Sequence, residues 1–178
     1  MIETLTQKHT IEDYQRLAEG APYQLIDGEL IMSPAPKPKH QRILMRIIEK
    51  LIPLSKGRGD LFVAPVDVYF DDEDAFQPDI IFISNQKKHI IKDDGIYGAP
   101  DLVIEILSKS TAYYDLNKKF KVYEKYGVNE YWIIDPDAQT IELYRNDQQQ
   151  FRLKSKSPWH VESEVVKSFN LAVHEVFY

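Results

Sequence analysis

Apolar and polar positions change period several times along the chain, and each change marks an element. From His40 to Leu54 the residues Ile43, Leu44, Ile47, Ile48 and Leu51 recur at helical spacing. This predicts a long amphipathic helix lying on one face of a sheet. Leu102 to Leu107 is an almost continuous apolar run, short and rich in β-branched residues, which predicts a strand buried on both faces. A single carboxylate, Glu105, interrupts it. An unpaired charge in such a strand is costly, so a cation or hydrogen bonds must face it. That partner is either a metal ion or a lysine.

The remaining elements follow in order. Thr10 to Asp13, with Tyr14, Leu17 and Ala18 behind it, predicts a capped helix closed by Gly20. Tyr23–Ile26 and Glu29–Met32 flank Asp27-Gly28, a strong hairpin signal. The proline-rich stretch from Ser33 to Pro38 predicts an extended connector. Leu61–Phe70 reads as a strand, the run from Asp71 to Asp74 as an acidic turn, and Gln77–Ile83 as a second strand with Asp79 at its mouth. Residues 85–98 read as a polar loop suited to be a flap. After the strand carrying Glu105, Ser110 and Thr111 can cap a helix that Gly127 stops, with Leu116, Phe120 and Tyr123 as its apolar stripe. Strands are expected at Asn129–Asp135 and Thr140–Tyr144, with Gln150–Leu153 extending the meander. A short apolar segment (Val173, Val176, Phe177) closes the chain against the body. The order implies a mixed sheet with flanking helices, an α/β or α+β fold.

Composition narrows the classes. At 178 residues, 43% hydrophobic and 28% charged, the chain is expected to form one folded domain spanning 1–178, with a core over about residues 10–150 and a C-terminal extension packed on it. Without cysteine there is no thiolate metal site or cysteine nucleophile, and the composition accords with a cytoplasmic location. Met1–Gly20 has no apolar core of the kind a signal peptide or membrane anchor needs. The net charge of −6 argues against coating nucleic acid by bulk attraction. Between Leu107 and Tyr126, however, five lysines face only Asp115 and Glu124, so one segment is locally basic.

The candidate chemistry begins with Asp79 and Glu105 on consecutive core strands. Two hard oxygen ligands brought together in this way suit Mg²⁺ or Mn²⁺. Phosphodiester cleavage also calls for a cation near the attacking water, usually a lysine. Two residues after Glu105, where that lysine is expected, the chain has Leu107. On the following helix Asp115, Lys119 and Tyr123 fall at i, i+4 and i+8, which places Lys119 at the edge of the buried face, within reach of Glu105.

These features resemble the PD-(D/E)XK nuclease superfamily: Pro78-Asp79, a strand with Glu105-Ile106-Leu107, and a lysine on the next helix. More narrowly, three stretches resemble a prokaryotic family described as "putative restriction endonucleases". They are the segment from Asp27 through Ser33-Pro34 to His40, the segment Pro100–Ser108 with Ser110-Thr111, and the series from Asp115 through Lys119 and Tyr123 to Pro136. The resemblance covers about residues 10–150. It implies a restriction-endonuclease-like mixed β-sheet flanked by helices, a bound Mg²⁺ or Mn²⁺, and DNA as substrate. Asp79, Glu105 and Lys119 would be catalytic. Asp79, Glu105 and the Ile106 main-chain carbonyl would hold the metal, with Glu29 and His40 in support. Cutting both strands of a duplex favours a homodimer.

Plainer readings stand beside these. Asp79 could cap a strand start, and His40 could satisfy a local hydrogen bond. Glu29 could be the outward residue of a hairpin. Asp101 shares the nominal face of Glu105 but lies roughly 13 Å away along the strand, so it reads as structural. A buried Glu105–Lys119 ion pair would fit a catalytically silent nucleic-acid-binding or assembly module that keeps the fold. A hydrolase of a smaller phosphate ester would share the metal site.

Overall fold

The structure, a computed structural model, describes residues 8–18, 20–157 and 159–178. The reading of Met1–Gly20 as free of a leader falls partly on residues 1–7 and lies to that extent outside the described residues. A short helix α1 (Ile11–Gln15) opens with a capping box between Thr10 and Asp13. It ends well before Gly20. The hairpin of β1 (Tyr23–Ile26) and β2 (Glu29–Met32) turns through Asp27 and Gly28, both at positive φ, as the Asp-Gly pair predicts. Helix α2 (Pro38–Ser55) begins on a proline and buries Ile43, Leu44, Ile47, Ile48 and Leu51.

The run 61–70, expected as one strand, is two. β3 (Gly59–Val63) and β4 (Val68–Asp71) lie in different sheets, with Pro65 in the connection between them. Proline cannot donate to a ladder, so the strand breaks there. β4 turns at Asp72-Glu73 into β5 (Asp74–Phe76), a three-residue strand that the sequence pattern did not show. β6 (Ile80–Ser84) follows, then a 3₁₀ turn (Asn85–Ile90) and β7 (Ile96–Tyr97) in the stretch expected to be loop.

The buried strand β8 (Leu102–Ile106) leads into a π-helical segment, Tyr114–Lys119, continuous with α3 (Phe120–Tyr126), which Gly127 terminates in a left-handed conformation. The π segment changes which residues face inward. Its wider turn puts Asp115 and Lys119 into the core and leaves Leu116 exposed, whereas α-helical spacing had assigned Leu116 to the apolar stripe. β9 (Glu130–Asp135), β10 (Thr140–Asn146) and β11 (Phe151–Ser157) form a meander. A small hairpin of β12 (His160–Glu162) and β13 (Asn170–Ala172) precedes α4 (Val173–Phe177).

One mixed sheet has the order β11-β10-β9-β8-β6-β3, with only the β8–β9 pair parallel. Its one face packs on α2 and on the C-terminal hairpin and α4, so that Trp132, Ile104, Ile47 and Phe169 share a core. Its other face meets α3 and Phe76 of the second sheet, whose order is β2-β1-β5-β4-β7. Near the site, the Gln24 side chain on β1 accepts from the main-chain N–H of Gln77, in the link between β5 and β6, at 2.9 Å. No helix among the described residues is long and apolar enough to cross a membrane.

Candidate active site

The register of β6 on β8 pairs Ile80 with Ile104. One step further along an antiparallel ladder, Asp79 stands opposite Glu105, and cross-strand neighbours share a face. The main-chain N–H of Asp79 points at Glu105 Oε2 from 3.4 Å. Asp79 Oδ2 accepts from the main-chain N–H of Ile106 at 2.7 Å and lies 3.1 Å from His40 Nε2. That same imidazole nitrogen lies 3.1 Å from the Ile106 carbonyl oxygen. His40, in the first turn of α2, therefore bridges a carboxylate and a main-chain carbonyl. Burial works against its charged form, but the Asp79 carboxylate, with the Ile106 carbonyl and Glu105, outweighs this and raises its pKa.

Glu105 is 3% exposed, as is Lys119. Glu105 Oε1 receives Lys119 Nζ at 3.0 Å and the Tyr123 hydroxyl at 2.8 Å. Lys119 Nζ also lies 2.8 Å from Asp115 Oδ1. The other Asp115 oxygen accepts the Thr111 hydroxyl at 3.1 Å, and the Asp115 carbonyl accepts from the Tyr131 hydroxyl at 3.1 Å. Burial pushes the Glu105 carboxyl up; Lys119 opposes this, while Asp115 and Asp79 add to it. For Lys119 burial acts downward, yet Asp115 and Glu105 together hold its pKa above the ordinary lysine value. The proton shared in this cluster thus belongs first to Lys119.

These groups line a cleft of about 870 Å³ walled by the proline-rich connector, the start of α2 and residues 108–111. Lys37, Lys39 and Lys109 also line it. Asp79, Glu105, Lys119 and His40, all singled out in the sequence, converge here, together with Ile106. Glu29 does not: it is exposed on the edge strand β2, apart from the residues lining the cleft. Asp101 is a structural lock, accepting from the Ser84 main chain at 2.7 Å and Asn129 at 3.0 Å, with Lys87 at 3.4 Å. The tie from Tyr123 to Glu105 and the pairing of Asp115 with Lys119 escaped the sequence reading. Their signal was the i, i+4, i+8 series of polar-headed side chains beside an apolar stripe.

The donor set suits a small divalent cation. Among the described residues, the hydrogen bonds to Asp79 end on Oδ2, and the Lys119 and Tyr123 bonds to Glu105 end on Oε1. Asp79 Oδ1 and Glu105 Oε2, the latter met only by the Asp79 main-chain N–H at 3.4 Å, are hard oxygen donors, and the Ile106 carbonyl beside His40 is a third. Also among the described residues, no three His, Cys, Asp or Glu side chains cluster to hold a metal by themselves. Mg²⁺ does not require that, since it keeps several waters and takes few carboxylates.

Residues 11–174 match the model of the Uma2 family, described as "putative restriction endonuclease". The chain belongs to this family. An uncharacterised protein of Synechocystis is 28% identical over 151 residues, spanning 82% of this chain and 85% of that protein. A crystal structure described as a putative nuclease belonging to DUF820, from Anabaena variabilis, superposes with a TM-score of 0.78 at 25% identity. The alignment covers 94% of this chain and 97% of that one. The Uma2 chain thus has a nuclease-like α+β fold, consistent with the PD-(D/E)XK superfamily.

Proposed function

We propose that this Uma2 chain is a metal-dependent phosphodiesterase that cleaves DNA in the cleft. One observation carries the reading: Asp79 and Glu105 face each other across β6 and β8, each with a carboxylate oxygen that no other side chain holds. Asp79, Glu105 and the Ile106 carbonyl would hold Mg²⁺ or Mn²⁺, which when bound would lower the pKa of a coordinated water and neutralise charge on the phosphate. Of the three N–H donors of Lys119, one goes to Glu105 as a hydrogen bond and a second is set aside for the 2.8 Å ion pair with Asp115. The third would go to the attacking water or to a non-bridging phosphate oxygen as negative charge builds there. His40 would keep Asp79 and the Ile106 carbonyl at a fixed separation. The lysines lining the cleft would take the flanking backbone phosphates. The reading favours the cytoplasm as its location, and a symmetric dimer if both strands are cut.

The test is nicking of supercoiled plasmid in Mg²⁺, with and without chelator. Asp79→Asn and Glu105→Gln are expected to abolish nicking while the fold, followed by circular dichroism, is kept. Cleavage at the wild-type rate in both variants would rule the site out.

A second reading draws on the buried cluster itself. Lys119 and Tyr123 already satisfy Glu105 without a cation, as in a silent module that retains the fold. Calorimetry with Mn²⁺ separates the two readings, because a silent module shows no binding that Glu105→Gln removes.

A further inference from the structure

Asp115 has no task in the reaction as proposed. It is nevertheless as deeply buried as Lys119, with its carboxylate fixed by the Thr111 hydroxyl and its main chain by Tyr131. A carboxylate so far from water is costly unless something answers its charge. Lys119 answers it at 2.8 Å, but Lys119 already has a partner in Glu105 at 3.0 Å. One lysine therefore serves two carboxylates. If Glu105 were its only partner, a cation approaching Oε2 would have to compete with the lysine for the same group. Asp115 removes that competition.

We propose that Asp115 is a positioning residue: it holds the Lys119 ammonium as a second counter-ion, so that Glu105 can give Oε2, the oxygen Lys119 does not hold, to the metal. This rests on the metal-dependent reading above. Asp115 touches neither substrate nor metal and acts through Lys119 alone. That dependence distinguishes it from a residue needed only for folding, because its removal is repaired by removing the lysine as well. The double variant Asp115→Asn/Lys119→Met carries the same net charge around Glu105 as the wild type.

The experiment is Mn²⁺ titration by calorimetry on the full chain, comparing wild type, Asp115→Asn, the double variant and Glu105→Gln. Asp115→Asn is expected to weaken Mn²⁺ binding about tenfold, as an added competing charge within a few ångströms should. The double variant is expected to return within about threefold of wild type, a coupling that only interacting residues show. An Asp115→Asn affinity within about threefold of wild type, or a double variant that stays weaker than that, overturns the proposal. If Asp115→Asn does not fold, the double variant, in which the lysine and its second counter-ion are removed together, decides by the same threshold. Wild-type binding that Glu105→Gln abolishes but Asp115→Asn leaves untouched overturns this inference alone. Absence of any Glu105-dependent binding in the wild type overturns it together with the reading it rests on.

Discussion

Tyr123 donates its hydroxyl to the same Glu105 oxygen that Lys119 holds, at 2.8 Å, from inside a cluster of aromatic rings. Tyr123→Phe keeps the ring and removes only this donor. The expected cost is about 1 kcal/mol of stability, the usual net value of one hydrogen bond or somewhat more to a charged group. Nicking should slow by about tenfold without being lost, since Lys119 still orients Glu105. Urea denaturation and plasmid nicking measure the two effects. A variant equal to wild type in both would mean that the hydroxyl does not hold Glu105.

Neighbouring lysines should behave differently. Lys119 is buried between two carboxylates, whereas Lys118 is partly exposed and pairs with the half-exposed Asp27 at the hairpin turn. Lys119→Met is expected to lower the nicking rate at least about 100-fold, in line with loss of one transition-state donor. Lys118→Met should leave it near wild type, because exposed ion pairs contribute little. Equal losses in both would point to bulk attraction for DNA rather than to a catalytic role for Lys119.

Glu130, at the start of β9, anchors the C-terminal segment. Its carboxylate accepts from Trp132 Nε1 at 3.1 Å, the Ser163 hydroxyl at 2.7 Å and the Glu164 main-chain N–H at 2.7 Å, with Arg145 at 3.3 Å. Glu130→Ala leaves these donors buried without an acceptor, and the expected destabilisation is about 3 kcal/mol. Limited proteolysis should then cut first between residues 159 and 178. A protease-resistant variant with unchanged stability would contradict this.

Asp74 supplies a pH dependence away from the cleft. Burial, with Asp71 and Asp27 nearby, pushes its pKa up to about 6, although the Asp27 main-chain N–H donates to it at 2.9 Å. Its folded pKa lies above its unfolded one. Its contribution is therefore fully present below the unfolded value and is lost as pH rises through about 6. Asp74→Asn retains an acceptor for Asp27 without the charge. Allowing for the solvent that still reaches the group, it should gain about 1 kcal/mol at pH 8, or about 3 °C in Tm. Melting curves at pH 8 and pH 4 should show the gain at the first and none at the second. The reverse order would overturn the assignment.

Much of this site could be read before any coordinates. A lone carboxylate in an apolar β-branched run demanded a partner, and the spacing from Asp115 to Tyr123 pointed to the helix that supplies it. The Asp-Gly hairpin was equally plain, because few residue pairs tolerate two positive φ angles in succession. What stayed hidden depended on changes of period or on distant pairing. Leu116 fits an α-helical stripe and is turned outward only because the backbone is locally π-helical. Val63 and Val68 look like parts of one strand until Pro65 breaks the ladder between them. Glu130 seemed an ordinary strand residue, since Ser163 and Glu164, which satisfy it, lie more than thirty positions away.

The pairing of Ile80 with Ile104 has a consequence for how such a protein can vary. The separation of the two carboxylates is set by the strand-to-strand spacing of a sheet, about 4.8 Å, which no loop length alters. The proline-rich connector and the segment 108–111, which border the cleft, are surface connections free to change in length and composition. If the proposed reaction holds, chemistry and recognition are encoded in separate parts of the chain. On the reading proposed above, the scaffold would take on new targets by exchanging its loops while the spacing of the two carboxylates stays constant.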